Sequence, residues 1–438
     1  MVPRVKVRPS GSRPKAAGIV LALVALAGPA TALALSGCGA SLKHAGGEEA
    51  SADVDSATAG SCGASALGAL GHVATRVYAE GIHSERTASA THMIEGSSAL
   101  RTAVEAGDAA SARAAARALI ATGHLTNLRI VRDGKVLVEL GGPALTPLRG
   151  TLLGADKRPI AGYVTSVWAA GGLVAETNGI AEASTVIRSA RSASDTRVVA
   201  GSFPLPAVPL PTQGTLTKDD VAYQFVSYPA SAYPDGAPLR VYLLRKIGSL
   251  QALCGSSDED TVVNTLSRIA HLIYDGEVGR RTDKQVHRVQ SNQALLMAVA
   301  QHDPKATRAA IEALLHQHIV RLRVSAGGRL LADVGGPYVL APVTAPLRHG
   351  GRTIGSFELS IQDDEGYKRL ANRLAGLDVL MYMGAKLVKS TVGNPSAPVP
   401  ASGPVSLHGR SYRAYTFKGE AFPSGPLRIT VLIPLPYS

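Results

Sequence analysis

Aromatic side chains are scarce in this chain, which has 5 Phe, 1 Trp and 13 Tyr among 438 residues. Proteins that bind single-stranded nucleic acid stack bases on such side chains, so few stacking platforms exist here. The net charge of +12 is also a weak signal, because five cations and no acid precede residue 38. Subtracting those five from +12 leaves +7, which suits an anionic membrane or wall surface as well as nucleic acid. We therefore expect no nucleic-acid partner.

Familiar catalytic patterns are absent as well. The sequence contains no HExxH, GxSxG, CxxC or P-loop motif, and its SxxK pattern, Ser12 to Lys15, lies in the cationic N-terminus. A cell-envelope hydrolase would need a nucleophile, a base and an orienting group, and no fixed spacing supplies them. We expect a protein that is not an enzyme and that has no metal site and no cofactor.

The N-terminus has the pattern of an export signal. A cationic segment ends at Lys15, and the apolar run AAGIVLALVALAGPATALALSGC follows it. Leu35, Ser36, Gly37 and Cys38 resemble the bacterial lipobox, which implies a signal peptide over residues 1–37 and a lipid on Cys38. The alternative is an uncleaved transmembrane anchor, since the apolar run is about 20 residues long. Either way, we expect the chain on the extracytoplasmic face of the cell membrane, with residues 38–61 as a flexible linker.

The rest of the chain is a duplication. At a shift of about 194 residues, Leu128–Pro143 aligns with Leu322–Pro337. Near the ends, the phrase Tyr233-Pro234-Asp235-Gly236 aligns with Phe422-Pro423-Ser424-Gly425. The sequence therefore predicts two copies of one domain, over residues 62–250 and 251–438.

Both copies show the same predicted order of elements. Apolar residues recur at helical spacing over 64–85 and 261–278, and two more helical stretches follow in each copy. Asp133-Gly134 and Gly327-Gly328 then separate short alternating runs, as in a hairpin with a tight turn. A loop, a strand, a helix over 364–375 in the second copy, and further strands complete a sheet of five or six strands. A helical segment followed by one antiparallel sheet is α+β.

This order resembles the extracellular PAS-like sensor fold, the Cache or PDC domain of bacterial receptors. The resemblance covers both copies and also rests on phrases such as Ser360-Ile361-Gln362-Asp363-Asp364. It implies two tandem PAS-like domains, each with a long N-terminal helical segment packed on an antiparallel sheet. It also implies a small ligand, often a carboxylate or an amino acid, between the sheet and the loops over it. Cache domains usually feed a kinase or a methyl-accepting module, and neither follows here before Ser438.

Cys62 and Cys254 stand at the starts of the two copies, each before a Gly. Exported thiols tend to pair, so a disulfide between these two residues is one prediction. Two buried or free thiols are the alternative, because a sequence does not show whether the Cα atoms approach closely enough.

Polar and aromatic residues on predicted strands of the second copy are the candidates for ligand binding, because one strand face is expected to line a pocket. They are Arg323, Glu358, Ser360, Gln362, Asp363, Tyr367, Tyr382, Arg413 and Tyr415. An Arg beside two Tyr suits a carboxylate, which guanidinium binds bidentately.

Structural roles remain open for the same residues. Strand Arg side chains can face solvent, Tyr rings can belong to the core, and Asp363 and Asp364 can cap the helix that they begin. The first copy has Ser166–Ala170 in place of Ser360–Asp364 and lacks both carboxylates. The second copy is therefore the better candidate for binding.

The sequence thus favours an exported, lipid-anchored protein that binds an extracellular small molecule and signals through a membrane receptor or kinase. The alternative is a structural or adhesive protein of the cell envelope with no small-molecule ligand. A collapsed pocket and an exposed apolar patch would favour that alternative.

Overall fold

The computed structural model describes residues 62–276, 280–315, 319–336, 339–422 and 425–437, without the side chains of 280 and 281. The predicted signal peptide, the lipid on Cys38 and the linker lie outside these residues. The helices are α1 (Cys62–His83), α2 (Glu85–Gly96), α3 (Ser98–Glu105), α4 (Ala109–Ala121), α5 (Ala170–Ala181), α6 (Ile247–Gln251), α7 (Asp258–Asp275), α8 (Arg280–Gln290), α9 (Gln293–Ala300), α10 (Pro304–Leu315) and α11 (Asp364–Ala375). None of the helices in the described ranges is both long and apolar enough to cross a membrane.

Strands account for most of the remaining described chain. In the first half they are β1 (Asn127–Arg132), β2 (Lys135–Leu140), β3 (Ala144–Leu145), β4 (Leu148–Leu153), β5 (Pro159–Ser166), β6 (Trp168–Ala169), β7 (Ser184–Ser189), β8 (Val198–Gly201), β9 (Gln213–Lys218), β10 (Val221–Ser231) and β11 (Pro238–Lys246). In the second half they are β12 (Arg321–Ala326), β13 (Arg329–Gly335), β14 (Val339–Leu340), β15 (Val343–His349), β16 (Arg352–Ser360), β17 (Gln362–Asp363), β18 (Asp378–Met383), β19 (Lys386–Ser390), β20 (Ser402–Leu407), β21 (Arg410–Phe422) and β22 (Gly425–Pro434). The mixed helix and antiparallel-sheet composition agrees with the predicted α+β class.

Each half contains a small and a large antiparallel sheet, and in the first half β3 also pairs with β6, so the prediction of one sheet per copy is wrong. A small sheet has the order β2-β1-β5-β4 in the first half and β13-β12-β16-β15 in the second. A large sheet follows, with the order β8-β7-β11-β10-β9 in the first half and β19-β18-β22-β21-β20 in the second, where β14 and β17 extend it beside β21. In the chain, α5 and α11 each lie between the strands of the small sheet and those of the large sheet. The sequence predicted that the strands before and after these helices belong to one sheet.

The predicted hairpins form where the turn residues require them. Asp133 and Gly134 have φ of 50° and 73°, and Gly327 and Gly328 have φ of 56° and 75°. Two successive positive φ values define the tight turn whose twist matches antiparallel strands. The β1–β2 and β12–β13 hairpins are therefore set locally by these turns.

The two long helices α1 and α7 begin side by side. A disulfide joins Cys62 to Cys254, whose Cα atoms are 5.5 Å apart, and Ser65 Oγ donates a hydrogen bond to Asp258 at 2.7 Å. The apolar faces of both helices enter one buried cluster, with Val73 from α1 and Ile269 from α7 fully buried in it. Because the large sheets of both halves also contribute to this cluster, residues 62–250 and 251–438 share a hydrophobic core.

Each of the long helices α1 and α7 also contacts the C-terminal end of a shorter helix in the other half, which is α11 for α1 and α5 for α7. Arg76 of α1 donates hydrogen bonds to the carbonyl oxygens of Asn372 at 2.9 Å and Arg373 at 3.2 Å, at the end of α11. Arg268 of α7 makes an ion pair with Glu182, the residue that ends α5. Cations at helix C-termini complement the partial negative charge there. The two halves therefore stabilise each other's helix ends reciprocally.

Candidate functional site

A groove of about 1220 Å³ lies between the small and large sheets of the second half. The small sheet contributes Arg323 and Glu358, which are directly opposite each other on β12 and β16. The remaining polar side chains come from α7, β18 and the β21–β22 hairpin, and they are Tyr274, Tyr382, Thr416, Lys418, Glu420 and Arg428. The structure therefore brings together Arg323, Glu358 and Tyr382 of the residues that the sequence suggested.

Register in the large sheet places two cations face to face. Lys418 on β21 is directly opposite Arg428 on β22, and Tyr382 on β18 is on the other side of Arg428. The guanidinium carbon of Arg428 lies 4.4 Å from the centre of the Tyr382 ring, which holds it in position by a cation–π contact. Like charges directly opposite each other weaken a sheet. The structure tolerates this arrangement at the mouth of the groove.

Neither cation is neutralised by the protein. Among the described residues, no carboxylate lies within ion-pair distance of Lys418 or Arg428, although both line the groove with Glu358 and Glu420. Arg323 likewise has no hydrogen-bond acceptor in the described part of the chain. Three cations are thus available to a ligand.

The carboxylate of Glu358 has the opposite charge on the same surface. Burial raises the pKa of Glu358 above its ordinary value, and the nearby Arg323 partly offsets that rise. No described residue donates a hydrogen bond to this carboxylate. Tyr274 holds the hairpin beside it, because its hydroxyl accepts a hydrogen bond from the backbone N–H of Glu420 at 2.8 Å. The groove therefore offers unpaired groups of both signs along with aromatic rings.

Three other predicted residues serve the fold. Tyr367 is fully buried, and its hydroxyl donates a hydrogen bond to the carbonyl of Ala270 at 3.0 Å; this burial raises its pKa. The Ser360 hydroxyl is buried and donates to the carbonyl of Leu340. Asp363 accepts a hydrogen bond from the Gly366 N–H at 2.7 Å and caps α11. None of the three lines the groove, because packing and capping direct their polar atoms inward.

Arg413, Tyr415 and Gln362 also lie away from the groove. Arg413 donates to Asp260 at 2.6 Å and to Glu259 at 3.2 Å, which ties β21 to the first turn of α7. The Tyr415 hydroxyl is 3.2 Å from His271 Nε2. Gln362 is buried, and neither polar atom of its amide has a hydrogen-bond partner among the described residues.

Sequence reasoning missed Lys418, Glu420, Arg428 and Tyr274. The repeat did carry a signal, because Lys418 and Glu420 stand where the first copy has Pro229 and Ser231. Charged residues that occur in the second copy but not in the first indicate a surface with a role specific to the second copy. What the sequence could not show was the strand register that puts Lys418 opposite Arg428.

The corresponding region of the first half is built differently. Arg240 occupies the position of Arg428, but its guanidinium donates to Ser227 Oγ at 3.2 Å. Val164 stands in place of Glu358, and its carbonyl accepts a hydrogen bond from the Tyr233 hydroxyl at 3.3 Å. Arg149 donates to the carbonyl of Pro234 at 3.1 Å. The contacts of Tyr233 and Arg149 tie the β10–β11 hairpin to the small sheet, and Arg240 has a hydrogen-bond partner within the hairpin.

A second cleft, of about 760 Å³, lies between the end of α1 and α11. Several of its charges already pair, with Glu80 bound to Arg373 at 2.8 Å and Glu365 to Lys368 at 2.7 Å. Lys368 and Lys389 lower the pKa of Glu365 to about 2. This cleft is therefore a contact between the halves, and the groove is the better candidate for ligand binding.

No group of three or more His, Cys, Asp or Glu side chains within the described ranges is arranged to hold a metal ion. No family model matches the chain. No curated protein matches it either.

Solved structures that are similar to parts of the chain include two proteins from outside the cytoplasm. The periplasmic domain of Vibrio cholerae LuxQ is 12% identical, with a TM-score of 0.27, and the similarity covers 38% of this chain and 97% of that one. An extracellular ligand binding receptor from Desulfohalobium retbaense DSM5692 is 10% identical, with a TM-score of 0.24, and the similarity covers 54% of this chain and 47% of that one.

Proposed function

We propose that the chain is an exported binding protein whose groove takes a small anionic or zwitterionic molecule. The single observation that carries this proposal is the opposed pair Lys418 and Arg428, which has no acidic partner in the described residues. A bound anion would relieve their repulsion, which the fold leaves uncompensated. The groove is open, whereas a purely structural or adhesive protein would be expected to fill it with side chains.

The groups that line the groove suit a ligand that carries one carboxylate or phosphate group and one ammonium group. Arg428 and Arg323 present guanidinium groups that bind planar anions through two hydrogen bonds. Glu358 and the ring of Tyr274 suit a cationic group, by charge and by cation–π attraction. The proposed activity is binding without catalysis.

The remaining parts of the proposal concern attachment and signalling. A lipid on Cys38 would hold the protein on the extracytoplasmic face of the membrane. Two tandem PAS-like domains would report ligand binding to a membrane receptor or kinase. The export signal, the duplication and the core shared by both halves support this reading.

Thermal unfolding in the presence of candidate ligands tests the proposal. The panel contains the amino acids, dicarboxylates and inorganic phosphate, each applied to the chain from Ala50 to Ser438, which forms one compact unit. A ligand at one hundred times its dissociation constant stabilises the fold by about 2.7 kcal/mol, a shift of several degrees. In Arg428→Gln we expect an affinity at least about tenfold weaker, because a charge-assisted pair is lost. The same ligand concentration should then give about half the stabilisation.

Two matched variants serve as controls. Arg240→Gln changes the equivalent position of the first half, and Arg413→Gln changes a cation that pairs with Asp260 outside the groove. Both should keep the full response. A response that Arg428→Gln retains, or that Arg240→Gln abolishes, would place the ligand elsewhere.

A further inference from the structure

The two small sheets carry different charge at equivalent ends. In the first half, the end with the β1–β2 and β4–β5 turns has balanced charge. Its cations are Arg132, Lys135, Lys157 and Arg158, and its acids are Glu105, Asp108, Asp133 and Asp156. Several of these pair: Arg132 lies 3.4 Å from Asp133, and Arg158 lies 3.5 Å from Asp156.

The same end of the second half is strongly cationic. Its charged residues are Lys305, Arg329, Arg348 and Arg352, with His302 and His349 beside them and Asp303 as the acid. The Asp303 carboxylate accepts the N–H groups of Lys305 and Ala306 and caps α10, as the equivalent Asp108 caps α4, so it leaves an excess of cations at this end. In the described part of the chain, no carboxylate lies within ion-pair distance of the three Arg residues. The change arises partly because Gly327 and Gly350 replace Asp133 and Asp156.

These cations form one surface at the end of the sheet. The order β13-β12-β16-β15 puts Arg329 on one edge strand and Arg348 on the other, about 14 Å apart at the usual strand spacing. The His302 ring lies close to Gly327 in the β12–β13 turn. Arg352 starts β16 after the turn at Gly350 and Gly351, whose φ values are 56° and 79°. We call this the basic hairpin end.

An exposed apolar side chain accompanies the cations. Leu330, next to Arg329, is 50% exposed, and its counterpart Val136 in the first half is 47% exposed. The apolar tip is therefore common to both halves, and the surplus positive charge belongs to the second half alone.

We propose that the basic hairpin end docks on a membrane surface rich in anionic lipid. Lipid phosphate groups complement the unpaired Arg residues, each of which adds binding free energy near such a surface. Leu330 can enter the apolar boundary beneath the headgroups while the cations remain among the phosphates. A soluble polyanion would use the cations but would gain nothing from Leu330, so the combination favours a membrane.

Co-sedimentation with vesicles tests this proposal on the compact unit from Ala50 to Ser438. The vesicles are phosphatidylcholine, with and without phosphatidylglycerol. We expect binding that requires phosphatidylglycerol and that falls as salt is added, because screening weakens contacts between exposed charges. Neutralising two cations in R348Q/R352Q should weaken partitioning about thirtyfold.

Substitutions at the same end of the first half provide the controls. K157Q/R158Q should bind as the unchanged protein does, and L330S should bind less well than V136S. All these positions are exposed, so an unchanged unfolding midpoint shows that the fold is intact. Equal binding to both vesicle types, or equal loss in K157Q/R158Q, would overturn the proposal. So would undiminished binding by L330S together with equally tight binding to soluble polyglutamate, which would identify a polyanion as the partner.

Discussion

The two halves satisfy the same carbonyl of their long helices with different residues. In the first half, the Tyr228 hydroxyl on β10 donates to the carbonyl of Ala74 at 3.2 Å. In the second half, the equivalent carbonyl of Ala270 accepts from Tyr367 on α11 at 3.0 Å. The position of Tyr228 is occupied by Phe417 in the second half, and the position of Tyr367 by Leu173 in the first.

This exchange shows which feature the duplicated fold retains. In each half an aromatic hydroxyl donates to the equivalent carbonyl, from the large sheet in one half and from α11 in the other. The hydrogen bond, rather than the residue, is common to both halves. In the aligned sequences of the two copies, these two substitutions look unrelated. The structure shows that each compensates for the hydroxyl that the other removes.

The link between the halves is expected to give the largest effect. The disulfide closes a loop of 192 residues, and its loss in C62S/C254S should cost about 2–5 kcal/mol. Because the halves share a core, unfolding followed by calorimetry should remain one transition at a lower midpoint. Reductant added to the unchanged protein should produce the same shift. Two separate transitions would show that the halves unfold independently.

The exchanged hydroxyls come next. Tyr367→Phe should lower the free energy of unfolding by about 1 kcal/mol, because a buried hydrogen bond is lost. Adding Phe417→Tyr to that variant should recover most of the loss, since it recreates the arrangement around Tyr228. Urea titration of the single and double variants measures both quantities. If the double variant is no more stable than Tyr367→Phe, the equivalence of the two hydroxyls fails.

The reciprocal helix-end contacts should give a smaller and unequal pair of effects. Arg76→Gln loses two hydrogen bonds to carbonyls at the end of α11, about 1 kcal/mol. Arg268→Gln should cost less, because the Arg268 side chain is 48% exposed and its ion pair with Glu182 is screened. Urea titration at low and high salt separates the two cases, since only the Arg268 effect should shrink with salt. The reverse order would contradict the contacts described.

The smallest effect is expected in the pH dependence. Each long helix carries a half-buried His, and burial lowers the pKa of both His72 and His271 below 6.5. Arg76 adds to the effect at His72, whereas at His271 Asp275 opposes it and Arg268 adds to it. The unfolded chain therefore takes up these protons first, and the stabilisation is complete above about pH 6.5 and declines as the pH falls through the lower folded-state pKa values.

Unfolding midpoints measured from neutral to mildly acidic pH check this expectation. His271→Gln should flatten the decline in part, and His72→Gln in part as well. A decline of the same slope in the double variant would assign the pH dependence to other groups.

Local features of the fold could be predicted from the sequence. The turns at Asp133-Gly134 and Gly327-Gly328 need positive φ, and the residue types at these positions predict such turns. The helix α11 spans the predicted residues 364–375, because Asp363 caps its start and Gly376, with φ of 66°, ends it. These elements depend on interactions within a few residues.

Features set by distant contacts could not be predicted. Strands such as β20 contain Gly and Pro and have no alternating pattern strong enough to reveal them, so the division into two sheets was missed. Tyr367 was a reasonable pocket candidate by type, but its contact with α7 depends on packing across 97 residues. Arg323 and Tyr382 did fall in the groove, while the opposed Lys418 and Arg428 depended on register.

The reciprocal contacts of α1 and α7 have the geometry of a two-fold symmetric dimer placed within a single chain. In a true dimer, one substitution alters two symmetric contacts at once. Here each contact is encoded separately, so one helix end can be held by Arg76 through carbonyl oxygens and the other by Arg268 through a carboxylate. A single chain can thus vary one side of its own interface while the other continues to hold the pair together.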